Sequence, residues 1–216
     1  MSEKRITQPH FPFLSYTLVL TVILFLLVCI FNKTALFLGA NIYHNHLLDR
    51  TFSIFTNLGD GLCALVIVLF YVSIKNRPMS IKLFLTFILS GLVVQLFKLI
   101  FHAPRPKTFF PHQFYHHFIN GFTHSGYNSF PSGHAATAFG VAAILSFGCR
   151  KPIVGFLTFI IAVIVGYSRI YLGDHFVEDV LAGMIIGIFV AFFVEKGYTL
   201  YAGKFQHKQT RHSSTV

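Results

Sequence analysis

The chain has 216 residues, 54% of them hydrophobic and 11% charged, and a mean hydropathy of +0.66. So few polar side chains cannot cover a soluble globule, which excludes a water-soluble domain and makes a bilayer the expected solvent. The formal net charge is +10, but the basic residues stand singly or in pairs at the ends of apolar runs. Without a stripe interleaved with aromatics they argue against a nucleic-acid partner.

A helix needs about 20 mostly apolar residues to cross hydrocarbon. In chain order, runs of this kind cover 13–31, 81–101, 152–172 and 177–194, with shorter ones at 58–74 and 133–149. The expected fold is all-α: a polytopic bundle of six transmembrane helices in one domain, 13–196, between polar tails at 1–12 and 197–216 to which no fold is assigned. Lys4 and Arg5 precede the first run, but no small-residue cleavage site follows Phe31, so this span reads as uncleaved. Segment 35–55 is too polar to cross and apolar enough to lie along the interface. Cys29, Cys63 and Cys149 all fall inside expected spans, which makes a disulfide framework improbable.

Charge orients the bundle. With an inside N-terminus, the inner segments hold Lys4, Arg5, Lys75, Arg77, Lys82, Arg150, Lys151, Lys196, Lys204, Lys208 and Arg211, against Lys33, Arg50, Arg105 and Lys107 outside. The asymmetry predicts cytoplasmic termini. The long loop 102–130 and the short loop between the fifth and sixth spans then both open outward, and the unusual polar residues near span ends border them. A site at the outer membrane-water interface is expected.

Three groups of residues carry chemistry. Lys98, near the outer end of the third span, and Arg105-Pro106, at the start of the loop, supply two fixed cations, as a phosphate dianion requires. Alone, they could equally be a snorkelling lysine and a positive loop residue. Ser132-Gly133-His134 opens the fourth span: Ser132 is a natural N-cap, Gly133 lets backbone amides approach an anion, and His134 stands over that place. Alone, it reads as an ordinary cap. In Ser168-Arg169, His175 and Asp179, the four-residue spacing puts Asp179 on the face of His175, where it can accept one imidazole N–H and leave the other nitrogen free to attack phosphorus. Arg169 adds a third cation.

In this order and spacing the three groups resemble the type 2 phosphatidic acid phosphatase superfamily, membrane lipid phosphatases that share their site with vanadium haloperoxidases. The resemblance implies that His175 forms a phosphohistidine, that Asp179 orients it and that His134 protonates the leaving group. Lys98, Arg105, Ser132, Gly133 and Arg169 would hold the phosphoryl oxygens. It implies a lipid phosphate substrate, such as an isoprenoid diphosphate (undecaprenyl diphosphate), phosphatidate, phosphatidylglycerol phosphate or lipid A. It also implies no metal cofactor, and no obligatory protein partner is inferred. The compact frame looks bacterial, placing the chain in the inner membrane with its site towards the periplasm. A lipid phosphotransferase is the alternative within catalysis; a non-catalytic lipid-binding or transport protein is the remote one.

Among the remaining polar residues, His102, His112, His116, His117 and His124 crowd the loop, where headgroup contact or a lid is expected over a metal site at His112 and His116. Asp60 and Glu178 read as cap or dipole residues, Asp174 as a neighbour able to tune the site, and Asp49 with Arg50 as a solvated pair.

Overall fold

The computed structural model describes residues 11–110, 114–149 and 151–213, with residues 11 and 204–213 described through their backbone alone. The expectations for Lys4, Arg5, His112 and Arg150 fall outside these residues. The elements are α1 Phe11–Ile30, α2 Lys33–Ala40, α3 His46–Phe55, a 3-10 turn Thr56–Gly59, α4 Gly61–Ser73, α5 Arg77–Phe101, α6 Pro106–Phe109, α7 Gly133–Gly148, α8 Pro152–Tyr171 and α9 Val177–Ser213. Helix starts follow local chemistry. Asn32, Asn45, Asp60, Asn76 and Ser132 each accept a backbone N–H two or three residues on, and Pro78 and Pro152 sit in first turns, where the missing N–H has no helical partner to lose.

The fold is an all-helical membrane bundle. Four helices, α1, α5, α8 and α9, are long and apolar enough to cross a bilayer, and α3 with α4 adds a fifth if that pair, bent by 55°, is one span. All six apolar runs fold as helices, but α7 has only 16 residues, so six full crossings do not follow from helix length. Its position gives the reason. It is the central helix, packed against α9, α8, α5 and α4 and buried along most of its length, so protein rather than lipid surrounds it.

Small residues make this packing possible. A Cβ at Gly183 would collide with the Ser132 carbonyl oxygen, and one at Gly187 with that of Ala136, so the α9 backbone lies directly on the first turns of α7. The starts of the two helices are thereby held side by side. Beyond the bundle α9 continues to Ser213, a correction for residues 197–213, whose composition reads as a tail without a fold. No proline interrupts that stretch, and nothing else there stops a helix already nucleated in the bundle. An apolar groove of about 770 Å³ between α5 and α9, lined by Ile81, Leu85, Leu89, Phe189 and Phe193 among others, has no charged side chain and cannot bind a phosphate.

Candidate active site

The site begins at the end of α8. Gly173 adopts φ 69°, a left-handed conformation that glycine takes without a Cβ penalty. The N–H of Gly173 then reaches the Ile170 carbonyl at 2.9 Å, and that of Asp174 reaches the Arg169 carbonyl at 3.1 Å. These two bonds are a Schellman motif. It turns the chain back so that Arg169, Asp174 and His175 converge within one turn of backbone.

Asp179 follows in the first turn of α9. Its Oδ2 accepts the Phe176 N–H at 2.9 Å and the Ser129 hydroxyl at 2.5 Å, and lies 3.4 Å from His175 Nδ1. The structure thus realises the contact expected from the four-residue spacing. His175 and Asp179 are each 2% exposed. Burial lowers the His175 pKa, against the opposing pull of Asp179 and Asp174, which favours a neutral imidazole at neutral pH.

The long loop supplies the second face and is closed at its base. Ser129 N donates to the Ala103 carbonyl at 3.0 Å, and Arg105 N to that of Gly126 at 2.9 Å. The loop ends meet, which sets Arg105 beside Asn128: Nε donates to Asn128 Oδ1 at 3.1 Å.

One carboxylate joins the two faces. Both guanidinium groups, of Arg105 and Arg169, form ion pairs with Oδ2 of Asp174, and His175 Nε2 lies 3.5 Å from that same oxygen. Oδ1 accepts the His124 backbone N–H at 2.9 Å and lies 2.9 Å from His124 Nδ1. Burial alone would raise the Asp174 pKa, but His175, Arg169 and Arg105 outweigh it and hold the carboxyl well below the usual carboxylate range. Arg169 also donates to Thr56 Oγ1, so the turn between α3 and α4 forms a third wall.

The other expected residues surround this centre. Lys98, in the last turn of α5, is half-buried and within electrostatic reach of Arg105, Arg169, Asp174 and Asp179; it makes no ion pair to a described residue. His134 is coupled electrostatically to Arg169, His175, Asp60 and Asp174, and its backbone packs on Gly59, where an added Cβ would lie 2.9 Å from the His134 carbonyl oxygen. Ser132 caps α7 through Ala135 N at 3.4 Å and donates its own N–H to the Asp179 carbonyl at 2.9 Å. Its N–H thus joins α7 to α9, while its hydroxyl oxygen caps α7. The N–H groups of Gly133 and His134, which no helical carbonyl can reach, remain for an anion.

Thr56, Asn128 and Ser129 carried no readable signal, and His124 was read only as one of the loop's histidines; all four touch the site through tertiary contacts. Asp60 is a cap, as expected, accepting from Leu62 N at 2.8 Å. Glu178 lies in the first turn of α9, as its expected dipole role requires, and also pairs with Lys33 at 3.3 Å. Asp49 does not form the expected pair with Arg50: its Oδ1 accepts the Tyr171 hydroxyl at 2.6 Å and lies 3.1 Å from His117 Nε2. Adjacent residues on a helix point in different directions, and Arg50 is exposed.

Three cations, a buried imidazole with a carboxylate behind it and a second imidazole nearby form a seat for a tetrahedral oxyanion. The PAP2 superfamily profile matches residues 80–199. The chain is 37% identical over 94 residues to phosphatidylglycerophosphatase B of Bacillus subtilis, covering 39% of this chain and 46% of that protein. It is 28% identical to the undecaprenyl-diphosphatase BcrC of the same organism over 69% of this chain and 75% of that one. It is also 30% identical to the lipid A 4'-phosphatase of Porphyromonas gingivalis over 77% and 72%. The match thus spans about half the length of the first relative and about three quarters of the other two. The crystal structure of a transmembrane PAP2 type phosphatidylglycerolphosphate phosphatase from Bacillus subtilis superposes with a TM-score of 0.66 at 25% identity, over 88% of this chain and 97% of that one. With its bundle, its convergent site and these similarities, the chain belongs to the PAP2 superfamily, whose relatives named here are lipid phosphatases.

Proposed function

We propose that this PAP2 phosphatase hydrolyses a phosphate ester or anhydride of a membrane lipid through a phosphohistidine on His175. One observation carries the reading: Asp174 Oδ2 sits where both guanidinium groups and the free nitrogen of His175 converge. A single internal anion satisfies donors that a phosphoryl group would satisfy better, with three equatorial oxygens for three cations. An entering phosphate takes over Arg105 and Arg169, and Asp174 withdraws towards His124.

His175 Nε2 then attacks phosphorus. The N–P bond forms as the P–O bond to the lipid breaks, and Asp179 steadies the positive charge developing on the ring. His134 gives its proton to the leaving oxygen. In the second step water attacks phosphorus, the N–P bond breaks, and His134 takes the water proton back. Lys98, Arg105, Arg169 and the amides at the start of α7, with Ser132 holding that helix in place, stabilise charge on the equatorial oxygens in both steps.

The substrate is an anchored lipid phosphate: an isoprenoid diphosphate, phosphatidylglycerol phosphate, phosphatidate or lipid A, the first, second and fourth matching relatives' names. The excess of Lys and Arg on one side supports a site facing outward from a bacterial inner membrane, with both termini cytoplasmic and one catalytic domain over 13–196. Phosphate release from a panel of these four lipids by the purified protein in detergent tests the class and ranks the substrates. Release from none would end the reading. For topology, a single cysteine in place of the exposed Tyr127, with the native cysteines removed, is expected to react with an impermeant reagent in intact cells; labelling only after permeabilisation reverses the orientation.

A further inference from the structure

A second polar cluster lies beside the loop. His44, between α2 and α3, Asp49, in the first turn of α3, and His117, in the loop, bring three donor atoms within 4.8 Å of one another. His117 Nε2 is 3.1 Å and His44 Nδ1 3.9 Å from the same oxygen, Asp49 Oδ1. The two rings stack with centroids 3.7 Å apart. Tyr115 Oη lies 3.1 Å from His44 Nε2, and the Tyr171 hydroxyl donates to Asp49.

Hydrogen bonding leaves this cluster incomplete. His44 Nδ1 is buried and has no hydrogen-bond partner. Rings stacked this closely disfavour a positive charge on both. If the neutral ring donates Nε2–H to Tyr115, Nδ1 turns a lone pair towards the Asp49 carboxylate. Two acceptors then face each other, an arrangement that a cation between them relieves.

The spacing fits such a cation. Metal–ligand bonds of about 2.0–2.1 Å in a tetrahedron put neighbouring donors about 3.3 Å apart, and the 3.1 and 3.9 Å separations bracket that edge. Tyr115 and Tyr171 are placed as the outer partners that fix a ligating imidazole and a ligating carboxylate. We propose that His44, Asp49 and His117 bind a zinc ion, with water in the fourth position. The ion would pin the loop carrying His124, Asn128 and Ser129 to α3 and, through Tyr171, to the end of α8. It shares no residue with the phosphate seat and takes no part in phosphoryl transfer. The cluster does not use the His112 and His116 spacing, which the sequence already disfavoured as a metal site: His116 is exposed, and His112 lies outside the described residues.

The test uses full-length protein in detergent, stripped with a chelator, dialysed and titrated with zinc chloride. About one zinc per chain is expected, with a rise in the thermal unfolding midpoint, and Co²⁺ in its place should show the visible absorption of a tetrahedral site. His117→Gln, on a part-exposed side chain, and Asp49→Asn are each expected to weaken binding at least about 100-fold, and Tyr115→Phe about 10-fold. No stoichiometric zinc in the parent protein, or zinc retained in both His117→Gln and Asp49→Asn, overturns the site. Because the readout is metal content rather than turnover, its failure leaves the phosphatase reading standing.

Discussion

Helix α5 carries two cations, the buried Lys82 and the half-buried Lys98, about 24 Å apart at 1.5 Å per residue, and their surroundings differ in kind. Lys82 pairs one-to-one with Glu195 at 2.8 Å, so α5 and α9 are tied together with no charge left over. At the other end Lys98, Arg105 and Arg169 face Asp174 and Asp179, and Asp179 is occupied by His175, Ser129 and the backbone of Phe176. One free carboxylate then serves two guanidinium groups. A balanced buried pair is structural, whereas surplus charge of one sign held in place by the fold is a seat for a ligand of the other sign.

The comparison breaks first at the nucleophile. His175→Ala is expected to lose about 10⁴–10⁶ in turnover on every substrate, as for other residues that act as a catalytic unit, and to form no acid-labile phosphoenzyme from radiolabelled substrate. Trapped phosphate on any other residue would place the chemistry elsewhere in the seat. His134→Ala should cost about 10²–10⁴ on an alkyl lipid phosphate yet largely spare p-nitrophenyl phosphate, whose phenolate leaves without a proton. Equal losses on both substrates would remove His134 from the role of acid.

Asp174→Asn sharpens the comparison by removing the internal anion. Leaving two buried guanidinium groups without their carboxylate should lower stability by about 3 kcal/mol, and vanadate or inorganic phosphate should restore most of the lost unfolding midpoint. The depressed Asp174 pKa means that this pairing contributes stability above the unfolded carboxylate pKa of about 3.9. That stability is lost only as pH falls through the folded value, so the parent protein should show no such rescue-sensitive transition near neutrality. An Asp174→Asn protein no more responsive to vanadate than the parent would show that the carboxylate does not occupy the phosphate seat. The smallest effect is expected at the balanced end: Lys82→Met together with Glu195→Gln should shift stability by about 1 kcal/mol or less and leave turnover unchanged. A large activity loss there would contradict the division between the two ends.

Much of the catalytic core was readable because its geometry is local. His175 and Asp179 are one helical turn apart, so spacing alone predicts their contact, and the Gly173 turn that joins Arg169 to His175 lies within the same few residues. Each of the six apolar runs likewise announced a helix, whereas the shorter α2, α3 and α6 formed outside them. Asp49 was misread as solvated because its partners, Tyr171 and His117, are distant in the chain.

Sequence by itself determined the solvent, the helices of the six apolar runs, the three motifs and the contact of His175 with Asp179, because periodicity and short spacing act within a turn or a span of one chain. Tertiary structure decided which charges would be neutralised and which left in surplus. The Asp174 carboxylate bridging Arg105 and Arg169, the contact of Thr56 with Arg169 and the cluster of His44, Asp49 and His117 all join segments tens of residues apart. Such contacts exist only once the helices have packed, because burial withdraws water from these groups and leaves each polar atom dependent on whatever partner the fold brings to it.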